Sequence, residues 1–118
     1  MKTIIHLPFL FVYAFVLMVN YSKAQTTVPT FTNVDYVGSG NIKQMMDIYI
    51  PPGTTTKKPL IMHIHGGGWY TGAKGAANVP FFQGMYNAGY IVADINYRLS
   101  GDSVFPEQIY DCKTALRY

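Results

Sequence analysis

Pro59-Leu60-Ile61-Met62-His63-Ile64-His65-Gly66-Gly67-Gly68-Trp69 is the stretch from which the fold is read. Leu60 to Ile64 is apolar on both faces apart from His63, the pattern of a central strand covered on two sides. Three glycines follow at once. They free the backbone to turn sharply and to bring its N–H groups close to a ligand. Three consecutive glycines before a tryptophan exceed what a tight turn requires.

Working outward, Phe31-Thr32-Asn33-Val34-Asp35-Tyr36-Val37 alternates apolar with polar residues and predicts a half-buried strand. Gly38-Ser39-Gly40-Asn41 is a turn, and Met45 to Ile50 predicts a second strand ended by Pro51-Pro52-Gly53. The pair is expected to form a hairpin at a sheet edge. After the glycines comes a loop, Thr71 to Gly75, then a helix over about 78–88 with Pro80 in its first turn and Gly89 as its left-handed cap. Residues 90–97 predict a fourth strand. Phe105-Pro106-Glu107 opens a second helix, whose apolar face is expected to carry Ile109, Cys112 and Leu116. The order is β-β-β-α-β-α: an α/β protein whose sheet is incomplete within these residues. An exposed apolar edge is expected to follow.

The N-terminus reads differently. Lys2 precedes an almost wholly apolar run, Leu7 to Val19, and Ser22-Lys23-Ala24 sets small residues where a signal peptidase reads. Residues 1–24 are expected to be a signal peptide cleaved between Ala24 and Gln25, with 25–30 a polar linker and 31–118 the domain. That predicts a secreted or periplasmic protein with no stable membrane anchor after cleavage. The apolar run is short for a membrane span.

Composition excludes some classes of partner. The 118 residues hold nine basic and six acidic side chains, and loss of Lys2 and Lys23 with the leader leaves seven against six. Such a balance gives no footprint for nucleic acid. Lys57-Lys58 is expected to be a solvated turn. Cys112 is the only cysteine of these 118 residues, so they form no internal disulfide; it falls on the apolar side of the predicted helix and is expected to be a buried small hydrophobe rather than a partner for another chain's thiol.

Four runs in register carry a resemblance: Met46-Asp-Ile-Tyr-Ile-Pro-Pro-Gly53, the Pro59–Trp69 stretch, Gly89-Tyr-Ile-Val-Ala-Asp-Ile-Asn-Tyr-Arg-Leu-Ser100 and Phe105-Pro-Glu-Gln-Ile-Tyr-Asp-Cys-Lys113. Together they resemble the esterase/lipase branch of the α/β-hydrolase superfamily with an His-Gly-Gly-Gly-Trp loop. The likeness is nearest to secreted bacterial carbohydrate esterases of the bifunctional feruloyl and acetyl xylan esterase type. It implies the N-terminal half of an α/β-hydrolase fold. It also implies that Gly66 and Gly67 donate N–H groups to the oxyanion of a tetrahedral intermediate, that Gly68 and Trp69 shape the loop, and that His65 braces it. The implied substrate is a small ester or an esterified polysaccharide, with no organic cofactor.

In this fold the nucleophile, acid and base follow in the order Ser, Asp/Glu, His, after the elements seen here. No serine of these 118 residues stands in Gly-x-Ser-x-Gly; Ser39 and Ser103 lack its spacing and setting. The triad is therefore expected to be absent, and the 118 residues alone to be inactive. His63 and His65, two apart and so on one strand face, suit packing and bracing better than catalysis, and with no third ligand they make no metal site. Arg98 and Asp111 suit a structural ion pair. Three alternatives stay open on sequence: a serine peptidase of the same fold, a non-catalytic binding protein on a hydrolase scaffold, and an inactive truncated product.

Overall fold

A computed structural model of the chain describes residues 27–118; the leader expected over 1–24 lies outside the described residues. Four strands form one open sheet in the order β1-β2-β4-β3. They are β1 (Phe31–Asp35), β2 (Met45–Tyr49), β3 (Leu60–Ile64) and β4 (Ile91–Ile95), with helix α1 (Val79–Asn87) between β3 and β4 and α2 (Glu107–Arg117) after β4. The expected element order is borne out.

The hairpin expectation holds as well: β1 pairs antiparallel with β2 and stands at the sheet edge. It is two residues shorter than the alternation suggested. Asp35 ends it, because its carboxylate accepts the N–H groups of Gly40 (2.6 Å), Gly38 (2.7 Å) and Val37 (3.1 Å) and curls the chain into a turn. Those bonds, Gly40's first, hold the Asp35 carboxyl below its ordinary range. The linker joins the ladder, since Thr30 N–H donates to the Ile48 carbonyl (2.7 Å).

β2 runs antiparallel to β4, whereas β3 runs parallel to it, with Leu60 opposite Ile91 and Ile64 opposite Ile95. A parallel pair needs a crossover, and α1 provides it. Pro80 sits in its first turn. Gly89, at φ +91°, closes it: Gly89 N–H reaches the Tyr86 carbonyl (2.9 Å) and Tyr90 N–H that of Met85 (3.1 Å), the paired bonds of a Schellman cap.

Strand pleating sends alternate side chains to opposite faces. Met46, Ala93 and Ile95 face the α2 side and join Tyr36, Tyr97, Leu99, Cys112 and Ala115 in the larger core. Tyr49 and Val92 face the α1 side and pack on Phe82, with Tyr49 and Phe82 rings 5.0 Å apart. Burying Phe82 there contributes about 1.5–3 kcal/mol.

Among the described residues β3 stands at the sheet edge, with Leu60 48% and Ile64 42% exposed, the bare apolar edge expected of a sheet that is incomplete here. One expectation needs correction. Helix α2 is rotated from its apolar reading: it buries Gln108, Asp111, Cys112 and Ala115, while Leu116 is 60% exposed. The reason is polar. Asp111 is drawn inward to Arg98 and Gln44, and the helix turns with it. Cys112 is buried as expected, and burial pushes its thiol above the ordinary value.

Candidate active site

β3 ends at Ile64, so His65 already belongs to the loop. The two histidines therefore part company, against the expectation that they share a strand face. His63 stays on the α1 side, where its Nδ1 donates to Asp94 Oδ1 (2.8 Å) and its ring tilts on Phe82. His65 is buried, and its ring stacks on Tyr97 at 4.4 Å and 13°. A carbonyl can only accept, so the 2.8 Å contact between His65 Nδ1 and the Gly66 oxygen puts the proton on Nδ1.

Gly67 turns the chain at φ +122°. Its carbonyl accepts from Tyr70 N–H (3.1 Å) and Thr71 N–H (3.0 Å), so the loop closes tightly on itself. A Cβ on Gly67 would collide with the Thr71 carbonyl, which is why only glycine fits. Gly66 is different: a Cβ there meets nothing within 4 Å, and its φ lies outside the left-handed region. Trp69 adopts φ +64°, a left-handed conformation rare for so bulky a side chain. The neighbourhood holds it there. Ser100 N–H donates to the Trp69 carbonyl (2.8 Å), and the Trp69 ring meets the Tyr97 ring edge-on at 5.5 Å. Strain of this kind, of order 1–3 kcal/mol, persists where surrounding contacts over-determine it.

Tyr97 is the hub that sequence reasoning missed. Its hydroxyl donates to the His65 carbonyl (2.9 Å). Burial pushes its phenol above the ordinary value, so it remains a donor. The only available signal was its place two residues beyond the end of β4, where chain leaving one parallel strand passes the loop leaving its neighbour.

Two hollows flank the loop. One, of about 200 Å³, is lined by His65, Gly66, Gly68, Trp69 and Tyr97. The other, of about 340 Å³, is lined by Gly68, Trp69, Ser100, Phe105, Gln108 and Ile109. Four of the five expected site residues gather around the first; Gly67 lies in the wall of neither and is folded back on Thr71. Within the described residues, the N–H groups of Gly66, Gly67 and Gly68 have no protein acceptor. An exposed set of unpaired N–H groups at the carboxyl end of parallel strands can receive an anion.

The remaining polar candidates are committed elsewhere. Arg98 and Asp111 form the expected ion pair, at 2.7 Å, with Glu107 on the same guanidinium at 2.6 Å. Asp102 accepts the Leu99 N–H (2.9 Å). Lys57 and Lys58 are exposed. No group of three His, Cys, Asp or Glu side chains able to hold a metal occurs among the described residues.

Comparison with known proteins bears on the family and the fold. A family model described as BD-FAE matches residues 46–118. The probable carboxylic ester hydrolase LipM of Mycobacterium tuberculosis is 32% identical over 93 residues, 71% of this chain and 22% of that protein. A truncated form of a carbohydrate esterase from gut microbiota superposes with a TM-score of 0.71 at 36% identity, over 80% of this chain and 34% of that one. An FAD-linked oxidoreductase of Aspergillus terreus, pytB, is 32% identical over 68 residues, 58% of this chain but only 8% of that protein. The chain thus spans about a fifth of LipM and a third of the solved esterase. Matched over its last 73 residues and superposing on an esterase, it belongs to the BD-FAE family, and its sheet is part of an α/β-hydrolase fold of the esterase type.

Proposed function

We propose that this chain is the N-terminal, oxyanion-binding part of a secreted serine carboxylic-ester hydrolase. Its substrates are acetyl, feruloyl or other small carboxylic esters, free or carried on a polysaccharide. The reading rests on one observation above all: unpaired Gly66 N–H beside a hollow at the end of β3. Likeness to an ester hydrolase and a carbohydrate esterase supports the same chemistry.

In this mechanism a serine supplied by further chain attacks the ester carbonyl and passes its proton to a histidine. The carbonyl oxygen becomes an oxyanion and takes hydrogen bonds from Gly66 N–H and, as second donor, Gly67 N–H. Collapse expels the alcohol, which takes the proton back, and water then hydrolyses the acyl-enzyme. His65, Gly68 and Trp69 hold the loop in shape. The leader over residues 1–24 delivers the protein outside the cytoplasm, with Gln25 as its first residue.

The test begins with the transcript beyond the codon for Tyr118. Expression of that whole reading frame is expected to export a protein that starts at Gln25 and cleaves p-nitrophenyl acetate, whereas residues 1–118 alone turn over none. Gly66→Pro removes the N–H at a position where an added Cβ meets nothing within 4 Å, and kcat should fall about 10²–10³-fold. Activity within threefold of the unmodified protein would sink the assignment of Gly66.

A further inference from the structure

Across the centre of the sheet, on the α1 side, one row of polar side chains runs over three strands. Asp47 of β2 stands opposite Asp94 of β4, and Asp94 opposite His63 of β3. Asp94 is fully buried and Asp47 nearly so. Two carboxylates directly opposed on neighbouring strands repel each other. Such a row persists only if cations and donors cover it.

Lys74 is that cover. Its ammonium group donates to Asp47 Oδ1 (2.7 Å) and to Asn33 Oδ1 (2.8 Å), and its side chain is 8% exposed. Asn33 is placed for this contact. It sits at φ +54° where the β1–β2 register shifts, and its own N–H also donates to Asp47 Oδ1 (2.9 Å). Bulges of this kind re-aim a side chain.

The main chain of the same segment is pinned to β4 and its exit. Lys74 N–H donates to Asn96 Oδ1 (2.7 Å), Gly75 N–H to Asp94 Oδ2 (2.8 Å), and the Asn78 amide to Asp94 (3.3 Å). Residues 72–78 therefore form a strap bolted to the sheet. The strap's other end presses on the glycine loop: a Cβ at Gly72 would overlap the Gly66 carbonyl and the His65 ring. No solvent layer separates strap from loop.

We infer that Lys74, through its buried ion pair with Asp47, is a positioning residue that sets the orientation of the Gly66–Gly67 peptide, the unit that carries Gly67 N–H, by holding the 72–78 strap against its carbonyl. The inference rests on the reading of Gly67 N–H as the second oxyanion donor. A group that must meet a transition state to within a fraction of an ångström loses rate when its support shifts, by up to about a hundredfold for a displacement near 1 Å.

The experiment uses the complete natural reading frame and compares Lys74→Met, Lys74→Arg and Asp47→Asn with the unmodified protein. kcat and KM for p-nitrophenyl acetate are measured beside acrylamide quenching of Trp69, isolated by subtracting the emission of the same protein carrying Trp69→Phe. Lys74→Met is expected to lower kcat about tenfold or more. KM should stay within about twofold, Trp69 should quench more readily, and Lys74→Arg should recover part of both losses. A purely structural lysine would lower the melting temperature alone. Folded Lys74→Met with kcat and Trp69 quenching both within twofold of the unmodified protein overturns the inference. If Lys74→Met does not fold, Asp47→Asn is judged by the same limits, because Asn still accepts the Asn33 N–H. Absence of ester turnover in the unmodified protein defeats the esterase reading, and Trp69 quenching then decides the positioning claim by itself.

Discussion

Asp111 is a buried carboxylate with every lone pair spoken for. Its Oδ2 accepts Arg98 Nε–H (2.8 Å) and the Arg98 main-chain N–H (3.0 Å); its Oδ1 accepts Arg98 Nη2 (2.7 Å) and Gln44 Nε2 (2.8 Å). Burial raises the pKa of such a group, but here the Arg98 bonds and the Gln44 amide outweigh it and leave the carboxyl below its ordinary 3.8. A depressed folded-state pKa means that the unfolded chain binds the proton more readily. The stabilisation is therefore complete above about pH 4–5, and it drains away as pH falls through the folded-state value. In the complete protein, Asp111→Ala is expected to cost about 1–3 kcal/mol near neutral pH, because it leaves the Gln44 amide and the Arg98 main-chain N–H without their acceptor and the Arg98 guanidinium with Glu107 alone. The cost should shrink toward pH 2; denaturant melts at both pH values check it. A pH-independent difference would show that packing, not charge, makes the contribution.

At the scale of elements, α2 shows how one polar anchor overrides an apolar stripe. Ile109, Cys112 and Leu116 have helical spacing, yet Leu116 faces out and Ala115 faces in, because the helix is registered by Asp111. Leu116→Gln is therefore expected to change stability by no more than about 0.5 kcal/mol. Ala115→Gln, which forces an amide into the core beside Tyr36 and Leu99, should destabilise by about 1–3 kcal/mol. Thermal melts of the two variants, each made in the complete protein, decide between the observed face and the one the spacing suggests. The turns on either side of α1 follow the same logic. Gly67 was legible in the three-glycine turn and Gly89 as the left-handed cap, and both take a positive φ. Lys74 was not. In sequence it is one of several scattered bases, and only the bulge at Asn33 reveals its target.

For the whole molecule, the exposed edge matters most. Among the described residues β3 has one ladder edge unpaired, flanked by Leu60 and Ile64, and Phe81 and Met85 stand exposed on the neighbouring helix. Open apolar edges template pairing with other chains. Residues 25–118 expressed alone are expected to be insoluble or only partly folded. A soluble monomer with one sharp cooperative unfolding transition would contradict that. The sequence of β3 is apolar on both faces, as suits a central strand, and the strand order among these residues leaves one side bare.

By itself, the sequence determined the β-β-β-α-β-α order, the hairpin, the glycine turn and the helix caps. Each depends on residues a few positions apart, through the twofold period of a strand, the 3.6-residue period of a helix and the special φ of glycine. Tertiary structure alone decided the strand order, the rotation of α2, the Tyr97 clamp and the strap beneath the glycine loop. Lys74 meets Asp47 across 27 residues, Tyr97 meets His65 across 32, and Gln44 meets Asp111 across 67. Contacts at such separations are set by sheet register and by the need to pair every buried polar group, and no local pattern encodes either.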